Sequence, residues 1–127
     1  AGRWIPKKMS CFLGLATVWK ANVNVHLDEH DWRICALTCG GNFVGGQLHL
    51  PDLNLSLEYK PSDIVIFCSN LLYHSIGEWL PGIMCEDDSC TLGHMSWIRF
   101  MHKKVVKHLK GKPGNWFRSN YYPGDHL

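Results

Sequence analysis

The stretch QLHLPDLNLSLEY, residues 47–59, restricts the fold more than any other part of this sequence. Its leucines fall at 48, 50, 53, 55 and 57. A spacing of two is the period of a strand with one buried face, because successive side chains point to opposite sides. The parity shifts at Pro51-Asp52, as it does where a tight turn joins two antiparallel strands. A β-hairpin is expected here, and the neighbouring segments read in the same way. CFLGLATVWKANVNV ends with Val23 and Val25 on one face and Asn22, Asn24 and His26 on the other, which predicts a strand running into His26. RICALTCG is a second β-type run, and GGNFVGG is a glycine-rich turn around a short strand, 42–44. KPSD opens IVIFCS, a continuous apolar run of the kind buried on both faces. HMSWIRFMH again has strand character. Only KKVVKHLKG reads as helix: Val105, Val106 and Leu109 make one stripe, and Gly111 with Pro113 stops it. Roughly seven or eight short strands, one or two flanking helices and no βαβ alternation predict a mostly β sandwich or barrel.

A chain of 127 residues has room for one modest core, so residues 1–127 are expected to form a single domain. No stretch approaches the ~18 apolar residues of a membrane span, and AGRWIPKKMS lacks the apolar centre of a signal peptide. The expectation is a soluble, intracellular protein, nuclear or cytoplasmic, with no membrane partner. The six cysteines are even in number, as in a disulfide framework. Cys35, Cys39 and Cys68, however, sit in apolar strand-like runs, where a thiol behaves as a small hydrophobe, and reduced cysteines fit an intracellular compartment. A formal charge of +2 is too small to imply a polyanion partner. Its distribution is uneven, because Lys103, Lys104, Lys107, Lys110, Lys112 and Arg118 crowd the last quarter. Two readings stand there: a solvated helix face, or a patch facing the phosphates of DNA or RNA.

NVNVHLDEHDW, residues 22–32, places His26-Leu27-Asp28 directly after a hydrophobic run. Residues two apart on a strand point to one side, so His-x-Asp at a strand end can offer two ligands to one metal. An iron(II) centre of the facial type needs two neutral imidazoles and one carboxylate, with the remaining positions open. The third ligand must come from another strand. His74, in LLYHSI after the apolar run, is placed to return beside His26. A histidine flanked by Leu72, Tyr73 and Ile76 also reads as an ordinary hydrogen-bonded core residue.

Taken together, HLDEHD, GNFVGGQLHLPDLNLSLEYKPSDIVIF and LLYHSIGEW resemble the 2-oxoglutarate and iron(II)-dependent dioxygenases, particularly the fungal proteins similar to the TET/JBP group. The resemblance spans roughly residues 20 to 117. It implies a double-stranded β-helix, a jelly-roll or cupin-like barrel with the metal at its mouth, and makes His26, Asp28 and His74 the catalytic triad holding Fe(II). Gly45, Gly46 and Leu48 take the family's hairpin positions. Pro61 and Asp63 take its turn, where Ser62 replaces the usual glycine. Asp31 matches an extended His-x-Asp-x-x-Asp, and by itself reads as a turn residue accepting backbone hydrogen bonds. The implied activity is oxidation of a methylated nucleobase, or of a protein side chain if only the wider superfamily applies.

The family holds the distal carboxylate of 2-oxoglutarate with an arginine, whose planar fork matches a carboxylate with two parallel hydrogen bonds. In GHMSWIRFMH that position carries His94, while Ser96, Phe100 and His102 keep their places. His94 and Ser96 are then the cosubstrate-binding candidates. An imidazole has at most two, diverging donors, so weak 2-oxoglutarate binding is expected. Arg99 has the opposite strand parity to His94 and should point to the other face. Two further readings follow. One is a catalytically impaired β-barrel binding module of the same descent. The other is a zinc-stabilised nucleic-acid-binding domain using Cys85, Cys90 and His94 with His102 or Cys68. Taken singly, His30, His49, His102, His108 and His126 read most simply as surface or strand residues, and Trp32, Trp79, Trp97 and Trp116 as core or rim aromatics.

Overall fold

The computed structural model describes residues 12–19, 22–83 and 92–113. The readings placed on Cys11, Cys85, Cys90, Trp116, Arg118 and His126 fall outside them. Ten strands run in chain order: β1 Gly14–Trp19, β2 Val23–His26, β3 Cys35–Gly40, β4 Phe43–Gly45, β5 Leu48–Leu50, β6 Leu55–Leu57, β7 Ile64–Phe67, β8 His74–Ile76, β9 Trp79–Pro81 and β10 Met95–Phe100. One short helix, α1 Lys103–Leu109, follows. The domain is mostly β, as its period-two pattern predicts.

Two four-stranded antiparallel sheets carry the structure, ordered β1-β10-β3-β7 and β2-β8-β5-β6, and β4 pairs with β9 separately. The chain passes back and forth between the two large sheets, and apart from the β5–β6 hairpin each strand lies in a different sheet from the one before it. Among the described residues no strand pairing closes them into a barrel. Cys35, Leu37, Cys39, Leu48, Leu50, Tyr59 and Phe67 form the buried core, with Phe43, Leu57, Ile76, Ile98 and Phe100 packed against it. Residues of β10 alternate accordingly: Ser96 is buried, and Arg99 is exposed, as its parity requires.

The 47–59 hairpin is present, with a 3-10 turn at Pro51–Leu53 absorbing the parity shift. Leu48 and Leu50 are buried, whereas Leu53 and Leu55 remain exposed. Strand β7 departs from expectation. Ile64 and Ile66 are largely exposed, because β7 is the last strand of its sheet and only its other face meets the core. The turn before it keeps its shape without glycine: Ser62 adopts a left-handed φ of 78°, and the Asp63 carboxylate accepts the Lys60 N–H at 2.8 Å. No helix among the described residues is long and apolar enough to cross a membrane.

Candidate metal centre

Strands β2 and β8 are neighbours, and His26 lies directly opposite His74. The regular split of β2 into two faces does not hold. Val23 pairs with Ile76 and His26 with His74, so three steps along β2 answer two along β8. One extra residue is therefore accommodated as a bulge, which carries Val23 and His26 to the same side although their parity differs. Both line the cavity between the sheets, and Val25 is left exposed.

Each imidazole is oriented by its own strand. His26 Nδ1 lies 2.7 Å from the Asn24 carbonyl oxygen, and His74 Nδ1 lies 3.0 Å from that of Leu72. A carbonyl only accepts, so both Nδ1 atoms carry the proton and both Nε2 atoms keep a free lone pair when the rings are neutral. Those Nε2 atoms converge on one carboxylate. His26 Nε2 is 3.6 Å from Asp28 Oδ1 and His74 Nε2 is 3.4 Å from Asp28 Oδ2. Ligand atoms of the three residues all fall within 4.8 Å of one another, so the group could hold a metal ion. A donor set of two imidazoles and a carboxylate suits iron and similar divalent ions.

The charges are coupled. Contact with His74 and the nearby His26 lower the Asp28 pKa, against the opposing effect of burial. Burial works against a charged His74, but Asp28, the Leu72 carbonyl and the charge of Asp31 outweigh it and raise its pKa.

The triad sits on the wall of a cavity of about 340 Å³ between the two sheets. Ala16, Val18, Leu37, Ile98 and Phe100 form one wall and Val23 and Ile76 the other. Ser96 and Asp31 also line it. His94 does not. Its ring is buried against Phe43, at 4.3 Å between centroids, with Tyr59 at 5.9 Å and Trp79 at 6.2 Å. Gly46, with φ +71°, makes room for it: a Cβ there would stand 2.9 Å from His94 Cδ2. Burial lowers the His94 pKa and favours the neutral ring. His94 Nε2, Tyr59 Oη and Trp79 Nε1 are all buried without a hydrogen-bond partner among the described residues. His94 and two of its ring neighbours thus carry three unpartnered buried polar atoms, each of which a water could satisfy.

Sequence reasoning gave Tyr59 no role and read Trp79 only as a core or rim aromatic; Tyr59 follows β6 and Trp79 opens β9, so neither shares a spacing with His94. It also misread Asp31. That side chain is buried, and it accepts a hydrogen bond from the Ser69 hydroxyl at 2.9 Å rather than from its own turn. Cys35, Cys39 and Cys68 are free thiols. Among the described residues, His26, Asp28 and His74 are the one group of metal-holding geometry. Compared with known proteins, the chain matches no family model and no curated protein.

Proposed function

We propose that His26, Asp28 and His74 hold Fe(II) in a double-stranded β-helix and that the domain is a 2-oxoglutarate-dependent dioxygenase-like protein. One observation carries the reading: two imidazoles, locked by carbonyls two residues back, aim their Nε2 atoms at a single carboxylate on the wall of an apolar cavity. The strand order supports it, since the chain alternates between two four-stranded sheets as that fold requires. Iron bound there would supply oxygen activation coupled to decarboxylation of 2-oxoglutarate. The protein's own part is to keep both Nε2 lone pairs available, to exclude water with the apolar walls, and to orient the cosubstrate. Ser96 on the cavity wall, with His94, Tyr59 and Trp79 beyond it, is the polar region left for the cosubstrate's far carboxylate. A methylated nucleobase is the proposed substrate, reached by an intracellular single domain. The lysines of α1 are its candidate contacts with DNA or RNA.

A second reading is favoured by His94 itself. A buried imidazole pushed toward its neutral form is a poor replacement for a permanently charged guanidinium. A module that holds metal without productive cosubstrate binding would look the same at the triad. Metal analysis separates the readings when combined with 2-oxoglutarate turnover after anaerobic iron loading and exposure to oxygen. Iron with turnover supports the oxygenase, iron without turnover supports the module, and tight zinc would support a zinc-stabilised nucleic-acid-binding domain. His94→Ala should abolish calorimetric binding of 2-oxoglutarate to the manganese-loaded protein. Undiminished binding would remove His94 from the cosubstrate site.

A further inference from the structure

We propose that Asp31 is a positioning residue for Asp28, acting through Ser69; the inference rests on reading His26, Asp28 and His74 as a metal centre. The loop after β2 leaves the sheet, so its backbone polar groups must find partners outside a ladder. They find them in a closed ring. Asp28 N–H donates to the Ser69 carbonyl at 3.0 Å, Asp31 N–H donates to the Asp28 carbonyl at 2.8 Å, and the Ser69 hydroxyl donates to Asp31 Oδ2 at 2.9 Å. Ser69 is fully buried and Asp31 is 7% exposed. Asp31 is fixed from its other side as well, by a β-bridge to His102 and by the adjacent Trp32 N–H donating to the Met101 carbonyl at 2.6 Å.

The ring gives Asp31 leverage over a ligand it does not touch through its side chain. Its oxygens fall outside the group that could hold the ion, yet its carboxylate holds the residue whose carbonyl holds the Asp28 amide. Without that carboxylate the buried Ser69 hydroxyl loses its acceptor, and a buried polar group without a partner drives local rearrangement. The Asp28 carboxylate must meet two Nε2 atoms at once, so a small rotation of its backbone separates it from one of them. Groups that orient a metal ligand from behind commonly alter affinity about 10- to 100-fold when removed.

The test uses Co(II) as the probe, with calorimetry and the cobalt visible spectrum, on the full chain and on Asp31→Ala, Asp31→Asn, Ser69→Ala and His26→Ala. Amide hydrogen exchange of Asp28 is measured in the same proteins without metal. Asp31→Ala and Ser69→Ala are expected to weaken cobalt binding about tenfold or more, to shift its spectrum, and to speed Asp28 exchange while the amides of β3 keep their rates. Asp31→Asn, whose amide oxygen can still accept from Ser69, should recover most of the affinity. Cobalt binding lost in His26→Ala but unchanged in the Asp31 and Ser69 variants, with Asp28 exchange also unchanged, overturns the positioning role alone. Wild-type protein that takes up no cobalt overturns the metal reading and the role assigned to Asp31 with it. Exchange of the β3 amides identifies any variant that has simply unfolded, and the remaining variants then decide.

Discussion

Metal should abolish the loss of stability that the metal-free protein shows as pH rises past neutrality. In the metal-free protein the His74 pKa is raised from 6.5, chiefly by Asp28 3.4 Å away and against the effect of burial. A group whose folded pKa is raised contributes stability that is complete below its unfolded value and fades as pH climbs through the folded one. Metal-free protein should therefore lose stability as pH rises from about 6.5. The ion needs the lone pair on His74 Nε2, so the proton must leave first, and affinity should rise about tenfold per pH unit below the folded pKa. An ion present at a hundred times its Kd adds ~2.7 kcal/mol. One pH unit lower, the same concentration is about ten times Kd and adds only ~1.4 kcal/mol. This gain of ~1.3 kcal/mol per unit offsets the metal-free decline between 6.5 and the folded pKa, so loaded protein should hold its stability where metal-free protein loses it. The Asp28 pKa is lowered, so its contribution is present above 3.8, is lost as pH falls through the folded value, and leaves this window undisturbed. Urea unfolding followed by tryptophan fluorescence between pH 6 and 8, with and without Mn(II), measures both slopes. Parallel curves, or a metal-dependent slope that persists in His74→Ala, would refute the reasoning.

Three other outcomes are expected. Ser62→Gly should raise the urea midpoint by the equivalent of about 0.5–1 kcal/mol, because serine at φ 78° carries left-handed strain that glycine relieves, partly offset by glycine's freedom in the unfolded chain. Gly46→Ala should destabilise by about 2–4 kcal/mol in the same assay, combining that strain with a Cβ placed 2.9 Å from His94 Cδ2. Cys35 and Cys39, whose thiols burial pushes up to about 11, should resist alkylation in the native protein. The unreduced, denatured chain should then titrate as six thiols; fewer would show oxidised pairs.

What the sequence disclosed was set by how far each signal reaches. The leucine parity of residues 47–59 is local, and it located β5, the turn and β6 because pleat geometry acts residue by residue. His-x-Asp at a strand end and a histidine after an apolar run identified three residues that the fold does bring together. The apolar run at Ile64 to Phe67 misled, since composition does not distinguish a central strand from an edge strand whose outer face is open. Parity also failed at β2, where an extra residue changes which side chains share a face. Asp31 looked like a turn residue because its partner, Ser69, lies 38 positions away and leaves no trace in local spacing. The packing of Tyr59 and Trp79 beside His94 was hidden for the same reason.

A redesigner who straightened β2 would meet a competing register. With a regular ladder running from Val23 opposite Ile76, Val25 rather than His26 would fall across from His74. That alternative is attractive in hydrophobic terms. Val25 is 56% exposed in the bulged strand, and burying that remaining part is worth roughly 1–1.5 kcal/mol. It would also turn His26 toward solvent and dismantle the triad. Sheet idealisation, a routine route to thermostable variants, would here select against the ion, and a screen on melting temperature alone would reward the loss. Screening with the metal present would shift the balance, because the ion favours only the register that keeps His26 inside.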